Sequence, residues 1–153
     1  METGDATVPR FCSTFTHEVD DKRRVQIPAK WRTEKEGMEL YLILWLKFAQ
    51  GPCIRVLPPE IFEKLLRSLD EMPNSDPSKP TLKRLIGSNA ESVTVDKAGR
   101  ICLPDRVAVG AGITKKAVFA GMMDRFEIWS PERYEKIQTA DQVLALAALE
   151  KLE

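Results

Sequence analysis

Short apolar runs alternate with polar turns along this chain, and the same order of elements occurs twice. Ser13 to Val19 reads as a first strand. Val25 to Ile27, apolar at alternate positions, reads as a second. Leu40 to Trp45 and Ile54 to Leu57 follow, and the uncharged run Leu40 to Leu46 predicts a buried strand. The pattern then returns as Ser92 to Val95, Ile101 to Leu103, Ala117 to Gly121 and Phe126 to Trp129. The last two are joined by Met122 to Arg125, a connection of hairpin length. Pro28 and Pro104 end the second strands, because proline brings no N–H to a ladder. Each also suits the first turn of a short helix, over Pro28 to Arg32 and Pro104 to Ala108. Longer helices are expected from Pro59 and Pro131. At the second, Ser130 is a good N-cap, Pro131 takes the first helical position, and Glu132 lies where the helix dipole favours an anion. Tyr134, Ile137, Val143, Leu144, Leu146, Leu149 and Leu152 continue an apolar stripe to the end of the chain.

The recurrence reaches residue identity. Val19-Asp20-Asp21-Lys22-Arg23-Arg24-Val25-Gln26-Ile27-Pro28 aligns with Val95-Asp96-Lys97-Ala98-Gly99-Arg100-Ile101-Cys102-Leu103-Pro104, with Asp96 lying 76 residues after Asp20. Val56-Leu57-Pro58-Pro59-Glu60-Ile61-Phe62-Glu63-Lys64-Leu65 resembles Ile128-Trp129-Ser130-Pro131-Glu132-Arg133-Tyr134-Glu135-Lys136-Ile137 at an offset of 72. Two matching blocks in one order point to an internal duplication. The smaller offset places four extra residues in the first copy, around Ala49 to Pro52. Asp70 to Thr81, with Pro73, Asn74, Pro77 and Pro80, predicts a loop or linker. The expected organisation is a first repeat over 11–69, a linker and short helix over 70–90, a second repeat over 91–137, and a C-terminal helix over 138–153.

Composition narrows the function classes. The chain has 153 residues, 43% hydrophobic and 30% charged, which suits a soluble globular protein that builds a core without disulfides. No apolar run approaches the ~20 residues of a membrane span. Met1 to Arg10 does not resemble a signal peptide, so a cytoplasmic location and no membrane partner are expected. Cys12, Cys53 and Cys102 are odd in number and far apart, which suggests neither a zinc site nor a disulfide framework. They are expected to be small buried hydrophobes. His17, the single histidine, has no carboxylate beside it in a catalytic or metal-ligating pattern, and a packing role is expected. Trp31, Trp45 and Trp129 lie in apolar settings and read as core or interface anchors. Gly110-Ala111-Gly112 lacks the G-K-[ST] of a phosphate loop. With no nucleophile–base pair, metal cluster or cofactor motif in view, a non-enzyme without a cofactor is expected.

The formal net charge is zero, which argues mildly against nucleic-acid binding. The distribution argues the other way. Between Asp20 and Arg32, two acids stand against five cations: Lys22, Arg23, Arg24, Lys30 and Arg32. The turn between the first two strands holds the candidate chemistry. In Asp96-Lys97-Ala98-Gly99-Arg100, Gly99 can take a positive φ without a Cβ penalty, Asp96 can accept from the turn's amides, and Arg100 emerges at the next strand. One reading is a local Asp–Arg pair that closes a hairpin. The other is an arginine fork offered to a phosphate or a guanine edge. Two copies of the turn, with Lys22, Arg23 and Lys97 in them and Arg32 and Arg106 nearby, favour the second.

These residues also resemble a known family. The pattern H-x-h-D-x-K-G-R-h-x-h-P-A-K-h-R resembles the first repeat of MraZ proteins and stands here as His17 through Arg32. Asp96 to Arg100, Phe126 to Ser130 and Gly87 to Glu91 resemble the second repeat, so the likeness runs from Phe11 to about Lys136. The resemblance implies an α+β, mainly β fold. In it, two swapped-hairpin SpoVT/AbrB-like repeats interlock into one double-psi-like β-barrel with flanking helices. It implies a sequence-specific transcriptional regulator of a bacterial cell-division and cell-wall gene cluster, nucleoid-associated. Its partners would be double-stranded DNA at direct repeats in its own promoter and further copies of itself in a ring. The DNA-contacting turns would be those of Asp20, Lys22, Arg23, Arg24 and of Asp96, Lys97, Arg100. Arg23 departs from the pattern, standing where the family has glycine. The competing expectation is a protein-interaction or antitoxin-like adaptor of the same fold, working through apolar positions of the C-terminal helix.

Overall fold

The computed structural model describes residues 10–32 and 37–153. The N-terminal segment read above for a signal peptide therefore lies, apart from Arg10, outside the described residues. Among the described residues, eight strands and four helices follow one another: β1 (Thr14–Glu18), β2 (Arg24–Gln26), β3 (Glu39–Trp45), β4 (Cys53–Leu57), α1 (Pro59–Asp70), α2 (Ser78–Asn89), β5 (Ala90–Thr94), β6 (Arg100–Cys102), α3 (Asp105–Gly110), β7 (Lys116–Gly121), β8 (Phe126–Trp129) and α4 (Pro131–Leu149). Single 3-10 turns occupy Ala29–Trp31 and Glu150–Leu152. The fold is α+β with antiparallel pairing throughout.

The two copies are built into each other. Six strands form one sheet in the order β1-β7-β8-β4-β3-β5, and β2 and β6 form a separate ribbon. Thus β1 of the first copy pairs with β7 of the second, and β5 of the second pairs with β3 of the first. At two places, equivalent residues of the copies pair directly: Val25 with Ile101, and Arg55 with Glu127. An approximate two-fold axis therefore runs through both pairs. The sheet ends at β1 and β5, so among the described residues the ladders do not close into the single barrel expected. The reason is local. The three-residue strands β2 and β6 pair with each other, and an isolated bridge, Val19 to Val25, is their recorded ladder link to a neighbouring segment.

The main core lies between the ribbon and one face of the sheet. Val25, Ile27, Ile101 and Leu103 point inward there against Leu42, Ile54, Val56, Phe119, Phe126 and Trp31. The opposite face is covered in two places. Ile61, Leu69 and Ile86 of α1 and α2 cover Ile43 and Leu57, while Tyr134 and Ile137 of α4 cover Cys53, Val118 and Trp129. Strands covered on both faces lose the polar alternation, which is why β8 is buried at every position.

The extra residues of the first copy fall in the β3–β4 connection: with Trp45 matched to Gly121 and Cys53 to Arg125, residues 46–52 stand against 122–124. Other expectations need correction. The segment from Asp70 to Thr81 is not all linker: α1 runs through Asp70, and α2 begins at Ser78. Pro80 sits in the first turn of α2, where its missing N–H costs no intrahelical bond. Lys79 closes the α1–α2 connection, with Nζ donating to the carbonyls of Asp70 and Met72 at 3.0 Å and to Asn74 Oδ1 at 2.8 Å. Of the cysteines, Cys53 is buried, but Cys12 and Cys102 are exposed. Cys102 alternates outward in a strand whose inward position belongs to Ile101. Trp31 and Trp129 are fully buried, whereas Trp45 is half-buried between the two outer clusters. His17 packs its ring between Phe15 and Phe119, and burial lowers its pKa.

Candidate nucleic-acid interface

The two D-x-x-x-R turns share one construction. In the first, Asp20 Oδ1 accepts the backbone N–H groups of Lys22 at 2.9 Å and Arg24 at 2.8 Å. Asp20 Oδ2 accepts Arg24 Nε–H at 2.8 Å. In the second, Asp96 Oδ1 accepts the amides of Ala98 and Arg100, both at 2.9 Å, and Oδ2 accepts Arg100 Nε–H at 3.3 Å. Backbone bonds close each loop: Asp20 N–H donates to the Arg24 carbonyl and Arg23 N–H to the Asp20 carbonyl, both at 3.0 Å, while Asp96 N–H donates to the Arg100 carbonyl and Gly99 N–H to the Asp96 carbonyl, both at 2.9 Å. These donors hold both carboxyls below the ordinary aspartate value. The backbone N–H of Arg24 contributes most at Asp20, and that of Arg100 contributes most at Asp96.

The local Asp–Arg pair weighed in the sequence thus exists, but it ties each arginine by Nε. Among the described residues, neither Arg24 nor Arg100 donates an Nη hydrogen bond to the protein. A guanidinium held at Nε is fixed by its own turn and keeps its Nη donors, and both arginine side chains are about a third exposed, 34% and 35%.

The ribbon sets the spacing. Arg24 pairs with Cys102 and Gln26 with Arg100, so all four share the outward face while Val25 and Ile101 point inward. Arg24 and Arg100 are therefore two positions apart along a strand pair, about 7 Å at a rise of ~3.4 Å per residue. Each strand braces the opposite turn: Gln26 Nε2 donates to the carbonyl of Ala98 at 2.9 Å, and Cys102 Sγ lies 3.4 Å from that of Lys22. Lys22 and Lys97, at the turn tips, are exposed.

The one departure in the motif has a structural counterpart. Arg23 takes φ 60° and Gly99 φ 82°, so both turns use the left-handed conformation. A Cβ on Gly99 would overlap the guanidinium of Arg32, which lies against the second turn from the other copy. The residue 76 positions after Arg32 is the buried Ala108. At the first turn it is Arg23 that supplies a cation across the copies, its Nε donating to the Leu103 carbonyl at 3.0 Å and its Nη1 lying 3.9 Å from Asp105 Oδ1. At the first turn the αL residue is thus itself a cation that reaches the other copy, whereas at the second the αL glycine is met by a cation, Arg32, from the other copy.

Sequence reasoning placed Asp20, Lys22, Arg23, Arg24, Asp96, Lys97 and Arg100 in two separate turns. The structure brings both turns to the two ends of one ribbon. It also adds Gln26 and Cys102 to the outward face and sets Arg32 against the second turn. The period-two alternation of Arg24-Val25-Gln26 and Arg100-Ile101-Cys102 contained the signal for the first two. Arg32 was visible as one of the clustered cations, but its place against the second turn was not, because that contact crosses the copies. Among the described residues, no group of three or more His, Cys, Asp or Glu side chains is placed to hold a metal, and no helix is long and apolar enough to cross a membrane.

The chain is similar to known proteins along most of its length. The family model described as "MraZ protein, putative antitoxin-like" matches residues 11–85 and again 86–151, so its two matches divide the chain as the duplication does. A protein of Herpetosiphon aurantiacus named transcriptional regulator MraZ is 36% identical over 90% of this chain and 94% of its own length. Proteins of the same name from Leuconostoc citreum and Caulobacter vibrioides are 32% and 31% identical, covering 82% and 93% of this chain and 84% and 90% of their own. With a duplicated turn motif, cross-paired copies and matches of this extent, the chain belongs to the MraZ family.

Proposed function

We propose that the chain is a transcriptional regulator and not an enzyme, and that it grips double-stranded DNA through the outward face of the β2–β6 ribbon. The observation that carries this reading is the pairing of the two turns on one ribbon, with Arg24 and Arg100 aimed from the same face. A two-stranded ribbon fits the major groove of B-DNA, whose width is ~12 Å. Two arginines ~7 Å apart along it match about two base-pair steps at ~3.4 Å each. Arg24 and Arg100 would read guanine edges or phosphates, Lys22, Lys97 and Arg23 would neutralise phosphates, and Asp20 and Asp96 would hold the arginines in place. The relatives' printed names support regulation of transcription. In this reading each copy is a SpoVT/AbrB-like repeat, over 11–69 and 91–137, and the copies interlock by exchanging strands.

The target would be repeated sites in the chain's own promoter, upstream of a cell-division and cell-wall gene cluster, and the protein would work in the cytoplasm at the nucleoid. A neutral chain gains affinity by multiplying contacts: linked sites raise avidity by roughly 10²–10⁴ without new interactions, so a ring of copies suits this charge balance.

Titrating the protein onto its upstream DNA at several salt concentrations tests the reading. Arg24→Ala and Arg100→Ala should each weaken binding and flatten the salt dependence by about one counterion, with stability nearly unchanged. Both variants binding like the wild type at every salt concentration would falsify the assignment of these turns. An adaptor role is the second reading, favoured by the apolar surface of α4. It calls for turn variants that leave partner binding intact.

A further inference from the structure

The outward face of the ribbon holds a polar side chain that the arginine grip does not use. Gln26 pairs with Arg100 across β2 and β6. Its Nε2 donates one N–H to the Ala98 carbonyl at 2.9 Å. A primary amide has two N–H donors and a carbonyl acceptor. Among the described residues, the second N–H and the Oε1 of Gln26 have no partner. The tether also fixes which end of the amide is nitrogen, since only an N–H can meet a carbonyl. What remains is one donor and one acceptor on a planar group already held in place.

The second turn makes room for this amide. A Cβ on Gly99 would lie 2.7 Å from Gln26 Nε2, so the glycine lets the side chain lie against the turn. The first turn is built differently. Its left-handed residue is Arg23, which carries a Cβ, and the place of Gln26 is taken by the shorter Cys102. The Cys102 Sγ lies 3.4 Å from the Lys22 carbonyl and offers only the weak hydrogen bonding of a thiol. Amide, glycine and arginine therefore occur together at one end of the ribbon only.

We propose that Gln26 reads an adenine beside the guanine taken by Arg100, and so sets a base preference at that end of the ribbon. The inference rests on the reading above, in which the ribbon enters the major groove. There adenine presents an acceptor, N7, next to a donor, its N6 amino group, which match the free N–H and Oε1 of Gln26. Guanine presents two acceptors, N7 and O6, and the amide oxygen would face O6 with nothing to donate. The guanidinium has the opposite fit: it only donates, so it suits guanine and meets a competing donor on adenine. Directly opposed strand positions lie about 5 Å apart at Cα, which puts the two bases within about two steps of each other. An amide already tethered to Ala98 loses little freedom on binding.

Selecting binding sites from random duplexes, then measuring affinity for the selected duplex and each of its single base-pair substitutions, tests this. The wild type should require a guanine and, within two base pairs of it, an adenine whose replacement weakens binding roughly tenfold. Gln26→Ala should accept all four base pairs at the adenine position while keeping its other preferences and its salt dependence. A side chain that only braced the turn would do the reverse, binding every duplex more weakly with the preferences intact. A change in the DNA alone gives a second measurement that does not depend on how the variant folds. An adenine analogue with carbon in place of N7 should weaken the wild type and cost Gln26→Ala nothing further. The proposal is overturned if the wild type requires no adenine near the guanine, if Gln26→Ala keeps that requirement, or if the wild type binds the analogue as it binds adenine. Arg24→Ala and Arg100→Ala proteins that bind like the wild type would sink the ribbon reading itself. If they bind weakly while Gln26→Ala keeps every preference, only the present inference fails.

Discussion

Asp20 and Asp96 each organise a turn with one carboxylate that accepts two amides and one guanidinium N–H. Both carboxyls are held below the ordinary aspartate value of 3.8, so their stabilising contribution is complete above that pH and is lost as pH falls through the lower folded values. Melting temperature should therefore drop below about pH 4 in the wild type and drop less in Asp20→Asn with Asp96→Asn. Parallel curves for the two proteins would show that these carboxyls do not set the acid limb. Gly99 makes a second prediction. Gly99→Ala should cost about 1–2 kcal/mol for its positive φ alone. It should cost more in the native context, where a Cβ meets Arg32. In an Arg32→Ala background the excess should shrink to what the Gln26 amide, 2.7 Å from such a Cβ, imposes, and urea denaturation around the four-protein cycle measures the coupling. Additive losses would mean that Arg32 moves aside freely.

At the level of elements, the Arg55–Glu127 pair on the approximate axis joins β4 to β8. Arg55 Nε donates to Glu127 Oε2 at 3.1 Å, the guanidinium lies 4.2 Å over the Trp45 ring, and Trp129 Nε1 donates to Glu127 Oε1 at 3.0 Å. Glu127 is only 6% exposed. Removing one partner, as in Arg55→Met, should cost about 3–5 kcal/mol, because a buried carboxylate loses its counter-charge. Replacing both, Arg55→Met with Glu127→Leu, should cost much less, leaving chiefly about 1–3 kcal/mol for the stranded indole N–H. Equal losses in chemical denaturation would contradict this account. The strand runs and turns, with α1 and α4, were legible in the sequence because periodicity and proline position are local. The Arg55–Glu127 pair was not, since neither residue breaks its local pattern and their meeting depends on the pairing of strands 72 residues apart. The start of α2 was hidden for another reason: Ser78, Pro80 and the residues before them carry turn chemistry, and the helix takes up its proline only by placing it in the first turn.

At the scale of the molecule, neither copy owns a complete sheet. β1 is paired by β7 and β5 by β3, so separating the copies strips partners from both. Heat should accordingly unfold the chain in one transition, with near- and far-ultraviolet circular dichroism coinciding. Two resolved steps would mean that one copy persists without the other. The duplication itself was readable from the sequence, but the exchange of strands was not, because the alternation that fixes which face is buried says nothing about which strand lies alongside. The near-symmetry also has a consequence through its flaw. On the ribbon's outward face an amide side chain, Gln26, sits across from one arginine, while a thiol, Cys102, sits across from the other. Whatever lies along both prongs meets a different neighbour at each end, and reversing it exchanges the two. A ribbon that held DNA as proposed would therefore have a heading, and copies strung along one duplex would all point the same way.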